Sequence, residues 1–319
     1  GLRSPLGRGR IRDSPAVARR RESVAGRGSV REVRDAGAEG GGGMIADDLF
    51  AGAGGWDLAA AELGIRARGV ENMKEARATR EAAGLETIHD DVWTYQPDGN
   101  ATGLIASPPC QTFSAAGKGS GRKALDDVLR GIRDDYTSSL DHLRFLGEEV
   151  GDDRTALVLT PLHFALTGGY EWLAWEQVPT VLPVWEACAE VLREQGWSVW
   201  TGLLQAEMYG VPQTRKRAFL LASRTAEVGP PTPTHSRYYS RTPDQLDVGV
   251  AKWVSMAEAL GDVADGQARN SGPGAARRPR SIHNPSYTIR AQGSGSHPSG
   301  VEWRFAGAGK TSETTSGQI

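Results

Sequence analysis

The sequence has little cysteine and no long apolar run. Cys110 and Cys188 are the only two cysteines in 319 residues, which excludes a disulfide framework, and neither stands in a metal-ligand spacing. A free thiol fits a reducing compartment, so we expect a cytoplasmic protein without a metal site. No stretch approaches the roughly 18 apolar residues that a membrane span needs, and we expect no membrane association.

The sequence also lacks an excess of charge of either sign. Lys and Arg number 37 against 39 Asp and Glu, a formal net charge of −2, so a nucleic-acid partner would need a local basic surface. Residues 1–43 contain ten Arg, no Lys and no aromatic residue and end in four glycines, which predicts a disordered segment. That segment is either a basic arm that adds non-specific DNA affinity or an extension ahead of a functional start at Met44. Weaker DNA binding after its deletion would favour the arm.

Apolar runs alternate with helical patterns from Met44 to about Arg224. The predicted strands lie at about residues 45–50, 65–71, 86–89, 103–106, 171–175, 198–204 and 217–222. The predicted helices lie at about 57–63, 74–83, 155–166 and 184–194, with two more within 124–147. This alternation is typical of an α/β domain over residues 44–224. Residues 225–300 are richer in Pro, Gly, Ser and Thr and predict a smaller, irregular domain, with a helix at 253–260 and a strand at 286–289, before a tail at 301–319.

A glycine-rich turn at residues 51–56 follows the first predicted strand and precedes a helix. In this setting backbone N–H groups can approach a ligand at a helix N-terminus, which predicts a cofactor-binding turn. The alternative is an ordinary tight turn. Glu71 ends the second strand, where an acidic residue accepts hydrogen bonds from ribose hydroxyls. Asp91, after the third strand, could accept from an adenine amino group, although either acid alone could be a solvated loop residue.

Cys110 follows a Pro-Pro pair at the predicted carboxyl end of the fourth strand. Open α/β sheets place ligands and chemistry at this end, and the two prolines stiffen the backbone that carries the thiol. A buried structural cysteine is the alternative, and it is our interpretation of Cys188, which lies among apolar helical residues. Glycines and cations at residues 115–123, including Lys118, predict a mobile basic loop that could close over a polyanion.

Three further groups carry charge at predicted strand ends or loops. Glu176 follows an aromatic-rich strand, where a partly dry environment would raise its pKa. Arg215 and Arg217 alternate along a strand and could point the same way, with guanidinium groups that suit phosphate or a base carbonyl; a solvated edge strand is the alternative. Arg237 and Arg241 alternate with aromatic residues, a pattern typical of nucleic-acid contact.

Together these segments resemble the DNA (cytosine-5)-methyltransferases. The resemblance rests on residues 48–55 as the first motif, 109–114 as the nucleophile motif, 176–178 in place of Glu-Asn-Val, Gln213, Arg215 and Arg217 as Gln-x-Arg-x-Arg, and 285–289 beside the target recognition domain. It implies a Rossmann-like α/β methyltransferase fold: a mixed seven-stranded sheet with helices on both faces, and a smaller irregular target recognition domain.

The resemblance also implies a set of roles. Cys110 would add to carbon 6 of a flipped cytosine, Glu176 would act as the acid at N3, and Arg217 with Arg215 would hold the base carbonyl. The cofactor would be S-adenosylmethionine, bordered by Asp48, Phe50, Gly52, Gly54, Glu71, Asp91 and Pro109. Contacts to double-stranded DNA would come from Gln111, Ser114, Lys118, Gln213, Arg237 and Arg241. We expect a monomer of a bacterial or phage modification system, with a cognate restriction endonuclease as a possible partner.

Three departures from the family pattern bear on activity. Gln177 stands where the family has Asn, and the link from Cys110 to Arg154 is long, so the helices within 124–147 resemble an insertion. The family's last motif, of Asn-Ala-Val-Pro type, has no counterpart before Ile319. This motivates the hypothesis of a truncated homologue that binds DNA or cofactor without turnover. A nicotinamide-dependent oxidoreductase would use the same strand–turn–helix arrangement, and an RNA-acting relative would use the same chemistry.

Overall fold

The computed structural model describes residues 43–109, 120–134, 136–151, 153–261, 266–270, 280–288 and 301–305. Cys110, Gln111, Ser114 and Lys118 lie outside the described residues, as does almost all of the predicted disordered segment 1–43.

A seven-stranded mixed sheet organises the chain, and the seven strands are those that the sequence predicts. They are β1 (Ile45–Leu49), β2 (Arg66–Val70), β3 (Thr87–His89), β4 (Gly103–Ala106), β5 (Trp172–Gln177), β6 (Ser198–Gln205) and β8 (Lys216–Ser223). Their order is β3-β2-β1-β4-β5-β8-β6. The first five run parallel, and β8 runs antiparallel to both β5 and β6. The predicted α/β fold class is confirmed.

The central strands β1 and β4 are buried on both faces, as apolar parallel strands usually are. Leu49, Leu104 and Ala106 have no exposed surface, and they belong to a single core that extends to Trp175 and Trp185. The exception to this apolar character is the pair Asp47 and Asp48 in the middle of β1, both fully buried.

Helices cover both faces of this sheet. They are α1 (Gly55–Glu62), α2 (Lys74–Ala82), α3 (Ser120–Arg133), α4 (Leu140–Val150), α5 (Asp153–Leu157), α6 (Thr160–Thr167) and α7 (Leu182–Glu194). A further helix, α8 (Met256–Leu260), belongs to the later part of the chain, where Met256 packs with Ile282 and Tyr287. The chain passes through β1, β2 and β3 in one direction and through β4, β5 and β6 in the other. Because crossovers between parallel strands are right-handed, α1 and α2 lie on one face and α3 to α7 on the other. In the described part of the chain no helix is long and apolar enough to cross a membrane.

Two predicted helix boundaries are wrong. The single helix predicted at 155–166 is two helices, because Pro161 in the first turn of α6 has no N–H to continue the bonding of α5. The helix predicted from Trp253 begins at Met256, where Ser255 and Glu258 form a reciprocal capping box. The third strand ends at His89, as predicted, and Asp91 lies in the turn that follows it.

Cys188 is fully buried in α7, and burial raises the pKa of its thiol well above the ordinary value. This environment suits the structural role that the sequence predicts for it.

The later part of the chain builds two small sheets. The strands are β7 (Gln213–Thr214), β9 (Gly266–Asn270), β10 (Arg280–Ser281), β11 (Ser286–Tyr287) and β12 (Val301–Phe305). A three-stranded antiparallel sheet has the order β10-β9-β12, and β11 pairs in parallel with β7. Arg280 connects these regions, since one of its amino groups donates to Thr214 Oγ1 and to the carbonyls of Pro285 and Ser286.

Candidate active site

The turn between β1 and α1, residues 50–55, has an unusual backbone and is here called the cofactor turn. Phe50 has a φ of 62°, in the left-handed region that non-glycine residues rarely adopt. Gly54 has a φ of 103°, and an added Cβ would lie 2.1 Å from Leu85 Cδ1, so only glycine fits there. Strained backbone of this kind persists where the surroundings impose it, and it concentrates at ligand sites.

Glu71, buried at the end of β2, holds the cofactor turn. One carboxylate oxygen accepts from Gly52 N at 2.8 Å and the other from Met73 N at 2.7 Å. Each oxygen keeps a second lone pair for another donor. A Cβ added at Gly52 or Gly55 would meet nothing within 4 Å, so the backbone here borders open space.

Residues Ser107, Pro108 and Pro109 leave the carboxyl end of β4 and lead directly to Cys110; they are here called the nucleophile segment. Ser107 N donates to Leu49 O at 3.2 Å, which joins the segment to the end of β1. The Gln177 side-chain amide donates to the Pro108 carbonyl, which joins it to the end of β5. Cys110 itself lies outside the described residues, but the chain that carries it is held from both neighbouring strands.

Glu176, near the end of β5, lies opposite two arginines. Its Oε1 is 2.7 Å from Arg217 Nε and 3.7 Å from an Arg215 amino nitrogen. Burial raises the pKa of Glu176 above its ordinary value, and the charges of Arg217 and Arg215 oppose that rise without cancelling it. The carboxyl group is therefore easier to protonate than an exposed glutamate, as the sequence predicts.

One cavity of about 550 Å³ joins the cofactor turn to this charged group. Its lining includes Phe50, Gly52, Gly55, Trp56, Ser107, Glu176, Tyr209, Arg215, Arg217 and Phe219. Phe50 and Gly52, which the sequence predicts to border the cofactor, thus share a cavity with all three described residues predicted to be catalytic. The arrangement brings a space within the usual size range of small-molecule sites next to an acid and two cations.

The other described residues of the predicted site lie outside this lining. Asp48 is fully buried beneath the cofactor turn, Gly54 is buried as the N-cap of α1, and Glu71 reaches the turn only through Gly52. Pro109 is half-buried in the nucleophile segment, and Asp91 Oδ1 accepts from Trp93 N within its own turn.

The predicted DNA-contacting residues lie in the later part of the chain. Gln213 is in β7 beside β11. The Arg237 guanidinium lies 4.5 Å from the centre of the Tyr239 ring, while Arg241 is exposed in the following loop.

Sequence reasoning missed two residues of the site. Trp56 lines the cavity and donates through Nε1 to Ser107 Oγ at 2.9 Å. Gln177 is the departure from the family pattern, and its amide holds Pro108. No pattern in the Gly-Gly-Trp segment indicates a role for Trp56. Gln177 was recognised in the sequence as a departure from the family pattern, but its contact with Pro108 was not predicted. Within the described ranges no group of three or more His, Cys, Asp or Glu is arranged to hold a metal ion.

The chain matches one protein-family model, described as C-5 cytosine-specific DNA methylase, over residues 44–130 and 180–272. These ranges comprise more than half of the 319 residues and include Cys110, Arg215 and Arg217. Residues 131–179, with Glu176, fall between them.

Two curated proteins are similar to part of the chain. Type II methyltransferase M.HgiDI of Herpetosiphon aurantiacus is 26% identical over 195 residues, which are 57% of this chain and 52% of that protein. DNA (cytosine-5)-methyltransferase PliMCI of Paracentrotus lividus is 30% identical over 134 residues, 41% of this chain and 7% of that protein. The chain therefore spans about half the length of the first relative and a small part of the second.

Among solved structures, the S. pombe Dnmt2 methyltransferase is 18% identical, with a TM-score of 0.40 over 58% of this chain and 50% of that one. An Entamoeba histolytica methyltransferase, EhMeth, is 15% identical, with a TM-score of 0.43 over 60% and 56% of the two chains.

Proposed function

The chain belongs to the C-5 cytosine-specific DNA methylase family, and from this premise we propose that it methylates carbon 5 of cytosine in DNA, with S-adenosylmethionine as cofactor and Cys110 as nucleophile. The observation that carries this proposal is the shared cavity in which the cofactor turn faces Glu176, Arg215 and Arg217. The nucleophile segment enters that cavity through Ser107.

The residues beside the cofactor turn fit S-adenosylmethionine. Gly52 and Gly55 leave open space where a side chain would stand, and Glu71 holds Gly52 in place behind that space. In this proposal the spare acceptor capacity of Glu71 serves the ribose hydroxyls. Phe50 provides an apolar wall. When bound, the cofactor supplies an electrophilic methyl group on a sulfonium sulfur.

Cys110 begins the reaction in this proposal. Carbon 5 of cytosine is a poor nucleophile, and addition of the thiolate to carbon 6 activates it. A sulfur–carbon bond forms at carbon 6, and the electron pair of the 5,6 double bond moves towards carbon 5 and N3. A target base inside a stacked duplex cannot reach the thiolate, so the cytosine has to be flipped into the cavity.

Glu176 neutralises the charge that reaches N3. Its raised pKa makes the carboxyl group easier to protonate than an exposed glutamate, and donation of that proton to N3 stabilises the adduct. Arg217 holds Glu176 at 2.7 Å, and in this proposal its guanidinium group also binds the base carbonyl. Carbon 5 would then take the methyl group as the bond between that group and the sulfonium sulfur breaks. The carbon-5 proton is lost to solvent, the electron pair restores the 5,6 double bond as the thiolate leaves, and N3 returns its proton to Glu176.

Covalent trapping tests this proposal. DNA with 5-fluorocytosine in the target cannot lose the substituent on carbon 5, so the active protein with S-adenosylmethionine should accumulate a protein–DNA adduct on a denaturing gel. Cys110→Ser should abolish the adduct, whereas Glu176→Gln should slow its formation by about 10²- to 10⁴-fold because the acid is lost. A folded wild-type protein that binds this DNA but gives no adduct would contradict the proposal.

The pH profile of the adduct rate is a second readout for Glu176. Its protonated form is the active one, so the wild-type rate should fall as pH rises through the raised pKa. Glu176→Gln should lose this falling limb and keep any limb due to the thiol.

A further inference from the structure

Trp56 lines the cavity but has no role in the proposed reaction. It is the second residue of α1, directly after the cofactor turn, and it is half-buried in the cavity wall. Its Nε1 donates to Ser107 Oγ at 2.9 Å across a sequence separation of 51 residues. This bond connects the cofactor turn to the nucleophile segment.

The bond distinguishes Trp56 from five other tryptophans. In the described part of the chain, the indole N–H groups of Trp172, Trp175, Trp185, Trp197 and Trp253 are buried without a hydrogen-bond partner. Those rings pack in the protein, some of them against another ring or a cation, without donating a hydrogen bond. Trp56 instead directs its donor at one acceptor in the segment that carries Cys110.

Trp56 also contacts a residue on the opposite side of the cavity. Its ring contacts Phe219 edge to face, with centroids 6.4 Å apart at 79°. Phe219 lies in β8 directly across from Glu176 in β5, two residues after Arg217. The indole thus follows the cofactor turn and contacts both the nucleophile segment and β8, the strand that carries Arg217.

We propose that the Trp56 indole is a positioning group that holds the nucleophile segment in register with the cofactor turn, so that Cys110 and the methyl donor meet the same cytosine. This inference rests on the proposed function. Trp56 adds no proton or electron to the reaction. Its contribution is the geometry of Ser107, two residues before Pro109 and three before Cys110, where a small displacement would misplace the thiol.

Removal of either side of the bond tests the role. Trp56→Phe keeps an aromatic ring against Phe219 and removes only the donor, and Ser107→Ala removes only the acceptor. Each should slow adduct formation on 5-fluorocytosine DNA by about 3- to 10-fold at saturating cofactor and DNA, the range expected for one hydrogen bond. The affinity for S-adenosylhomocysteine, measured by calorimetry without DNA, should change less than about 2-fold, because the cofactor turn itself is intact.

The double variant and two controls separate positioning from packing. Trp56→Phe with Ser107→Ala should be no slower than the slower single variant, because both changes remove the same bond. Ser107→Thr keeps the hydroxyl and should restore the rate lost in Ser107→Ala. Trp197→Phe, which alters a tryptophan without a donor contact, should form the adduct at the wild-type rate.

Several outcomes would overturn the inference: wild-type trapping rates in both single variants, multiplicative losses in the double variant, or Ser107→Thr as slow as Ser107→Ala. If Trp56→Phe does not fold, Ser107→Ala and Ser107→Thr decide the matter alone. Absence of any wild-type adduct would instead reject the proposed function. A wild-type adduct with unaffected variants would reject the positioning role and leave the proposed function intact.

Discussion

Asp47 and Asp48 are neighbours in β1, and both are fully buried, yet their surroundings are opposite. Asp47 Oδ1 accepts from the Arg68 guanidinium at 2.6 and 3.0 Å. Its Oδ2 accepts from the hydroxyls of Tyr95 at 2.7 Å and Tyr170 at 2.8 Å. Among the described residues, no donor bonds to either oxygen of Asp48, and the group it can bond to, when protonated, is the carboxylate of Asp57.

The difference follows from the two faces of the sheet. Successive side chains of a strand point to opposite faces, so Asp48 points towards α1 and α2 beneath the cofactor turn. Burial raises its pKa well above the ordinary value, and the charges of Asp57 and Glu71 add to the rise while Arg80 opposes it. Arg80 is already engaged by both oxygens of Asp57, at 2.7 and 2.8 Å.

One residue type in one strand therefore has two different roles. The Asp47 face is a saturated polar network that joins β1 to β2 and to the entry of β5. The Asp48 face keeps an unsatisfied group next to the cavity, and local violations of this kind are found at functional sites. Both interpretations can be tested by substitution.

The largest expected effect is at Asp47. Asp47→Ala would leave the Arg68 guanidinium and two tyrosine hydroxyls without their shared acceptor, and should lower the free energy of unfolding by about 3 to 5 kcal/mol in urea denaturation. Asp47→Asn is the matched control. Its amide can still accept from Arg68 and donate to a tyrosine oxygen, so its loss should be clearly smaller. Equal losses in both variants would show that the charge, rather than the bonding, is essential.

The tyrosines should have an intermediate effect. Tyr170→Phe or Tyr95→Phe removes one hydrogen bond to a buried carboxylate, and each should cost about 1.5 to 3 kcal/mol of unfolding free energy. Burial raises the pKa of both hydroxyls, so they remain protonated donors over the ordinary pH range. Because both hydroxyls bond to the same oxygen, the double variant should be non-additive. A loss below about 0.5 kcal/mol in each single variant would contradict this account.

The smallest change in the free energy of unfolding is expected for substitution of Asp48, and this substitution should stabilise the protein rather than destabilise it. Its folded-state pKa is raised, so the folded protein binds a proton that the unfolded chain releases, and wild-type stability should fall as pH rises from about 3.9 through the raised value. Asp48→Asn lacks this decline and should match or exceed wild-type stability at neutral pH by up to about 1 kcal/mol. Melting temperatures of the wild type and of Asp48→Asn at several pH values would measure this difference in stability.

Asp47→Asn provides the control for that experiment, since it should retain the decline with pH. Parallel pH curves for wild type and Asp48→Asn would show that Asp48 is not held above its ordinary pKa. The contrast between the two neighbours would then disappear.

Sequence patterns were sufficient to predict the positions of the strands and the order of the motifs. Apolar runs bounded by turn residues located all seven strands of the sheet. In β1 and β4 burial on both faces leaves a continuous signal, whereas β5 alternates between buried and half-buried residues. Boundaries that depend on local backbone chemistry were less accurate. The break at Pro161 and the capping box at Ser255 lay within otherwise helical patterns.

Residue type and spacing alone determined the candidate set: a glycine-rich turn, an acid at the end of β2, a thiol after two prolines, and Glu176 with two arginines. Only the tertiary structure decided which of them share a cavity and which partner each acquires, because those contacts join residues far apart in the chain. Trp56 meets Ser107, and Gln177 meets Pro108, only after β1, β4 and β5 lie side by side. The same holds for Asp47 and Asp48, which are equivalent in sequence and differ because the pleat of β1 turns them to opposite faces.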